Sequence, residues 1–256
     1  MACAHCGDTG WRLAQASGSG EALLPTAVVR CECDETRRLS ELLDAAQIPK
    51  RYQHCTLENF DLPAGARELI LAHRLAATYA RDFPGALADR DRTGLLLFGN
   101  VGVGKTHLAV AIAQNLLERG FACRFADYRA LLKQIQASYD PANPATEQGI
   151  VAPLLSAEVL VLDDLGVGRS TEWAQETLHY LLNHRYSHKL ATILTTNLED
   201  AEPRTARMSD GSEYSAPGTL AQALGERLRS RLYEMCVFVA MHGRDFRRET
   251  AAAVVR

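Results

Sequence analysis

The sequence predicts one α/β domain with a small appendage. Three observations carry this. The chain has 256 residues, the length of one such domain and a short module. Short apolar runs bounded by turn residues alternate with segments of helical spacing, as in a buried parallel sheet flanked by helices. Two tight cysteine pairs precede all of these segments.

Composition narrows the class. Hydrophobic residues make up 47% and charged residues 23%, ordinary for a globular domain. No apolar run reaches the length of about 18 residues that a membrane helix needs, and no signal-peptide pattern opens the chain. A cytoplasmic protein without membrane association is expected. The net charge of −3 leaves nucleic-acid contact to local basic patches. Seven cysteines are an odd number, which argues against a disulfide framework.

The chain opens with Cys3-Ala-His5-Cys6, and Cys31-Glu-Cys33 follows. Four thiolates in two pairs fit a tetrahedral zinc knot, with His5 as an alternative ligand. The second pair is C-x-C, where C-x-x-C is commoner. The intervening segment reads as a hairpin, Thr9 to Leu13 going up and Ala27 to Val29 returning, with Ser17-Gly18-Ser19-Gly20 at the tip. It is too small for a core of its own, so the metal would supply its folding energy. Four thiolates leave no open position, so the zinc is expected to be structural. Cys55, Cys123 and Cys236 lack sequence partners and read as small buried hydrophobes. The expected division is a zinc-binding module at 1–36, a charged linker helix at 37–55 broken at Ile48-Pro49, and the main domain at 56–256.

Gly94 to Phe98 reads as a buried strand. Gly99-Asn100-Val101-Gly102-Val103-Gly104-Lys105-Thr106 then matches G-x-x-x-x-G-K-[ST], the phosphate-binding loop. Its glycines let successive N–H groups turn inward on an anion. Lys105 would reach the β- and γ-phosphates, and the Thr106 hydroxyl would hold Mg²⁺. With His107, these residues form the expected nucleotide cradle. The helix from Thr106 to Glu118 ends at Gly120, which puts the phosphates on a helix N-terminus.

Phe121 to Ala126 reads as a second strand, Tyr128 to Ser138 as a helix and Tyr139 to Gly149 as a loop. Val159 to Leu162 is a strand that delivers Asp163 and Asp164 at its end. Asp163 would hold Mg²⁺ through a water, and Asp164 would orient or deprotonate the attacking water. A helix is expected at 172–188, with Trp173, Leu178, Leu181 and Leu182 on its apolar side and His179, His184 and His188 at the surface. Ala191 to Thr196 is a further strand, after which Asn197 would place the water between the γ-phosphate and Asp164. Residues 199–218, including Arg204, Arg207 and Tyr214, read as a polar connection without regular structure. An arginine-dense helix at 224–232 and an apolar strand at 235–241 complete the domain.

In this order the motifs resemble AAA+ ATPases, and more narrowly the DnaC/IstB group of helicase loaders and transposition helpers. The cysteine-bearing N-terminus is similar to that of DnaI-type loaders. Cys55-Thr56-Leu57-Glu58-Asn59-Phe60, Gly225-Glu226-Arg227 and Gly243-Arg244-Asp245-Phe246-Arg247 are similar to segments of that group, and the resemblance covers roughly residues 48–248. It implies a parallel sheet sandwiched by helices with no separate lid. It implies ATP hydrolysis in a homo-oligomer assembled through the ATP site, with Arg227, or else Arg231, acting on a neighbour's phosphate. It implies single-stranded DNA along an inner channel, for which Tyr128, Arg129, Lys133 and Arg169 are the candidates. The N-terminal module would hold the replicative DNA helicase, making the chain a helicase loader. A transposition helper acting on duplex DNA, or a nucleotide-gated DNA scaffold with little turnover, are the alternatives. Walker B usually ends Asp-Glu. Here Asp164 is about one methylene shorter, which implies weak hydrolysis stimulated by DNA or a partner.

Overall fold

The computed structural model describes residues 3–13, 28–85, 92–166, 171–201, 205–207, 213–215 and 218–248. In chain order the elements begin with β1 (Trp11–Leu13), β2 (Val28–Arg30), α1 (Glu32–Ala46), a 3-10 turn (Lys50–Tyr52) and α2 (Arg67–Asp82). Then come β3 (Gly94–Gly99), α3 (Lys105–Glu118), β4 (Cys123–Asp127), α4 (Tyr128–Ala137), α5 (Glu147–Ser156) and β5 (Val159–Asp163). The rest are α6 (Glu172–Ser187), β6 (Ala191–Thr196), β7 (Thr205–Arg207), β8 (Glu213–Ser215), α7 (Leu220–Leu224), α8 (Glu226–Met235) and β9 (Cys236–Met241).

Five strands form one parallel sheet in the order β4-β5-β6-β3-β9. Their apolar runs are continuous because both faces are covered. Leu95 and Leu97 of β3, Val159 and Val161 of β5 and Ile193 of β6 pack into one core with α2 and α3. The alternate residues Leu96, Leu160, Leu162 and Leu194 pack into a second core with α4, α5, α6 and α8. The period of two thus divides each strand between two helical layers. β6 lies between the loop strand β3 and the acid strand β5, so three strand ends that carry the motifs open on one edge.

Several segments depart from the sequence reading. α2 was not foreseen, although Leu69, Ala72, Ala76, Tyr79 and Ala80 bury one face of it. The predicted arginine-dense helix is broken at Gly225, whose positive φ of 79° ends α7 and starts α8. The stretch 199–218 contains a short antiparallel pair, with Arg207 opposite Glu213 and Ala206 opposite Tyr214. The hairpin β1–β2 is antiparallel as expected; its tip at Ser17-Gly18-Ser19-Gly20 and also Arg204 lie outside the described residues. α1 starts at Glu32 and so runs directly out of the second cysteine pair.

Candidate functional site

The loop between β3 and α3 is held tightly. A Cβ at Gly99 would stand 2.2 Å from the Met241 carbonyl oxygen, and one at Gly104 would stand 2.7 Å from the Phe60 ring. Both glycines have positive φ, 129° and 96°, so a side chain is excluded by backbone and by space. Lys105 is 7% exposed and turns back on the loop, its Nζ donating to the Gly99 carbonyl at 2.8 Å and the Asn100 carbonyl at 2.5 Å. Burial lowers this ammonium to about 8, against the pull of Asp164 and Asp163. Val103 is fully buried in the first core and serves the loop through its backbone, whereas Val101 is exposed. His107 reaches the Thr56 carbonyl through Nε2 at 3.0 Å and meets Phe60 edge-on.

The acids face this loop. Asp163 Oδ1 accepts from Thr106 Oγ1 at 2.8 Å and from Thr195 Oγ1 at 2.5 Å. Burial raises its carboxyl above the usual range, opposed by those two hydroxyls. Oxygens sharing an edge of a Mg²⁺ octahedron are about 2.9 Å apart, so the Thr106–Asp163 pair fits two ligand positions. Asp164 takes a left-handed backbone, φ 58°, as the chain leaves β5, and its N–H donates to Thr195 Oγ1 at 2.9 Å. Its Oδ1 accepts from Asn197 Nδ2 at 2.8 Å. Burial raises the Asp164 carboxyl as well, and Asp127 adds to this. Lys105, Thr106, Asp163, Asp164 and Asn197 all line one cavity of about 480 Å³.

Sequence reasoning missed part of that lining. Arg51, Tyr52 and His54 reach the cavity from the segment before α2, and Phe246 and Arg247 from the segment after β9. The Phe246 N–H donates to the Gly102 carbonyl at 3.1 Å, which fastens the C-terminal segment to the loop. Asp127 is also there, because β4 pairs with β5 in a register that sets Asp127 opposite Asp163. The similarity of Gly243 to Arg247 to a family segment was the one signal that bore on this wall.

The remaining candidates divide. Arg129 and Lys133 are exposed one turn apart on α4. Tyr128 is 7% exposed, its hydroxyl donating to the Ala174 carbonyl, and it packs in the second core. It therefore offers no ring for a base to stack on, which corrects the reading of this residue. Arg169 lies outside the described residues. Arg227 is exposed at the start of α8, and Arg231, one turn on, donates to Asn183 Oδ1 of α6. Neither arginine lines the cavity of its own chain.

At the N-terminus the four Sγ atoms of Cys3, Cys6, Cys31 and Cys33 lie within 4.8 Å of one another. Cys3 and Cys31 are 3.8 Å apart, Cys6 and Cys33 3.2 Å. Tetrahedral Zn–S bonds of about 2.3 Å put sulfurs about 3.8 Å apart, so this donor set fits zinc. His5 is not part of the cluster. Cys55, Cys123 and Cys236 are free and buried. His184 and His188 stack on each other at 4.1 Å without an acid or cysteine beside them in a ligand group among the described residues. Among the described residues no helix is long and apolar enough to cross a membrane.

The IstB-like ATP binding protein family matches residues 16–252. YqaM of Bacillus subtilis is 26% identical over 214 residues, which cover 81% of this chain and 60% of that protein. The replicative helicase loader DnaI of the same bacterium is 23% identical over 221 residues, 86% of this chain and 67% of that protein. Among solved structures, the DnaC helicase loader superposes with a TM-score of 0.59 at 27% identity, covering 76% of this chain and 100% of that one. A phosphate loop, a two-acid strand end and an intervening strand on one parallel sheet thus coincide with a match across most of the sequence: the chain belongs to the IstB-like ATP-binding family of AAA+ proteins, alongside the DnaC and DnaI helicase loaders.

Proposed function

We propose that this protein is an ATP-hydrolysing helicase loader that binds single-stranded DNA and delivers the replicative DNA helicase. The observation that carries the ATPase reading is the convergence of Lys105, Thr106, Asp163, Asp164 and Asn197 on one cavity. The triphosphate enters over the N-terminus of α3, where N–H groups and the helix dipole favour an anion. Lys105 then exchanges the Gly99 and Asn100 carbonyls for phosphate oxygens. Thr106 and Asp163 would hold Mg²⁺, which supplies charge neutralisation at the β- and γ-phosphates. Asp164 accepts a proton from the attacking water, and its raised pKa brings it nearer the working range of a base. Asn197, already bonded to Asp164, orients that water. Arg227 of α8, with Arg231 as the alternative, reaches the γ-phosphate of an adjacent subunit.

Arg129 and Lys133 supply the strand contacts, through phosphates. The cysteine module, joined to the body by α1, takes the helicase; the likeness of the chain as a whole to the loader DnaI supports this. A second reading, a transposition helper on duplex DNA, is favoured by the family match itself.

The test is ATP hydrolysis by the purified protein alone, with single-stranded DNA and with duplex DNA, beside Arg227→Ala and Arg231→Ala. Stimulation by single strands, lost at least about a hundredfold in one arginine variant, is the expected result. Stimulation by duplex alone moves the reading to the transposition helper. ATP binding without turnover under any condition sinks the enzyme and leaves a nucleotide-gated scaffold.

A further inference from the structure

The chain after Asn197 is tied down on both sides. Glu199 Oε1 lies 3.2 Å from His242 Nε2, just past β9, and His242 Nδ1 lies 2.7 Å from Glu68 Oε2 on α2. Asp200 Oδ1 accepts from Arg229 Nε at 2.8 Å, and its other oxygen accepts from the Tyr233 hydroxyl. Both of those donors belong to α8. The Asp200 and Arg229 side chains are only 12% and 15% exposed, so the pair is largely out of water and less screened than a surface ion pair. Tyr233 is itself fixed by stacking on Phe238 of β9, rings 4.3 Å apart and 7° from parallel.

Leu198 immediately precedes these two anchors and follows Asn197. A Cβ at Gly166 would come 2.5 Å from its side chain, and one at Gly218 2.6 Å. Leu198 is half-buried and packs closely against both glycines. The Leu220 N–H also donates to the Glu199 carbonyl at 3.1 Å, at the start of α7. A segment packed this closely shifts as a block. Asn197 is at one end of the block and bonds Asp164 in the cavity; Asp200, three residues on, is at the other and bonds α8.

We propose that Asp200 is a positioning residue that couples the state of Asn197 to the placement of α8, and so to the presentation of Arg227 and Arg231 toward a neighbouring subunit. The inference rests on the reading that an arginine of α8 completes a neighbour's ATP site. The Asn197 amide is donated to Asp164 at 2.8 Å. A γ-phosphate competes for that amide, Asn197 turns, and the block carries the turn to Asp200 and α8. Nucleotide in the pocket would thereby set how α8 presents its arginine to a neighbour.

The experiment is hydrogen exchange on the full chain, with and without β,γ-methylene ATP and Mg²⁺, for wild type, Asp200→Asn and Tyr233→Phe. In wild type, exchange in residues 226–235 is expected to respond together with that of the loop at 99–107. In Asp200→Asn the loop is still protected but the α8 response disappears. Tyr233→Phe removes one donor, keeps the stack, and weakens the response. In steady-state hydrolysis Asp200→Asn lowers kcat about tenfold while KM for ATP stays within about twofold, a split that general loosening of the fold does not produce. An α8 response that persists in Asp200→Asn, or one absent from wild type while the loop is protected, overturns the coupling. Absence of loop protection in wild type instead overturns the nucleotide site on which the inference rests. Should Asp200→Asn fail to fold, Tyr233→Phe decides: an undiminished α8 response rejects the proposal.

Discussion

The cysteine module and the sheet body hold their groups in place by opposite means. In the body, Leu95, Leu96 and Leu97 are fully buried between two helical layers, and the site residues project from strand ends fixed by those layers. In the module, Trp11, Leu13 and Val28 are 53%, 59% and 60% exposed, and among the described residues Gly10 and Cys31 alone are buried. Cross-strand pairing sets Leu13 opposite Val28, so the hairpin's apolar side chains gather on its surface. The Arg30 guanidinium over the Trp11 ring, 5.6 Å from its centroid, covers one of them only in part. The module is therefore expected to rest on its four thiols where the body rests on burial. The two should fail under different stresses.

The largest effect should come from the metal. Structural zinc contributes on the order of 10–16 kcal/mol at neutral pH in small domains, more than any single side chain in the body. We expect about one zinc per chain, measured by release to a chromogenic chelator. Zinc removal, or Cys31→Ser, should abolish exchange protection in 3–13 and 28–34. The melting temperature of the body and its ATP affinity should not move. A body that melts with the module would show that the two regions are one cooperative unit.

The same contrast explains what was legible in the sequence. The body's strands were readable because continuous apolar runs have few alternatives, and the loop, Asp163, Asp164 and Asn197 because each sits where a strand ends. The cysteine pairs were readable because their chemistry is local. Tyr128 was misread since a tyrosine beside Arg129 and Lys133 looks like a surface ring; only tertiary packing reveals that α4 turns it onto α6. Asp127, Tyr52 and Arg247 were not seen as cavity residues because strand register and the closure of distant segments bring them there. α2 was overlooked although Leu69, Ala72, Ala76, Tyr79 and Ala80 recur at helical spacing; it lies between motifs and carries none of its own.

A smaller effect, confined to the body, should follow from Arg185. This side chain is fully buried and bonds no carboxylate among the described residues. It donates to the carbonyls of Leu154, Ala157 and Ala191 and to Thr192 Oγ1, joining α5, α6 and β6. Burial lowers its guanidinium to about 10, so it remains charged at neutral pH. Arg185→Leu leaves several buried acceptors without donors and should cost about 3–5 kcal/mol in denaturant unfolding. Arg185→Lys should recover only part of this, because three donors on a point charge replace a planar fork. Zinc content should be the same in both variants. A loss below about 1 kcal/mol would mean that water enters and satisfies these carbonyls.

The smallest effect is a difference of sign between the two regions. Lys105 has been lowered from its ordinary 10.5 to about 8 by burial. Phosphate needs the ammonium form, and an anion beside it favours that form. Well below pH 8 the free protein already carries the proton, so ATP binding takes almost none up at this residue. Above pH 8 the free lysine is mostly neutral, each binding event takes up a proton, and affinity falls by up to about tenfold per pH unit. The cysteine cluster runs the other way: thiols must lose protons to hold zinc, so metal affinity rises with pH and binding releases protons. Calorimetry at pH 7.5 and 9.0, in pairs of buffers with different ionisation enthalpies, reads both. Proton uptake with β,γ-methylene ATP several-fold larger at pH 9.0 than at 7.5, removed by Lys105→Arg, is expected, since a guanidinium keeps its charge throughout this range. Uptake that survives Lys105→Arg would assign the proton to Asp163 or Asp164, whose carboxyls burial also raises, and would make the acids the group that senses the phosphate.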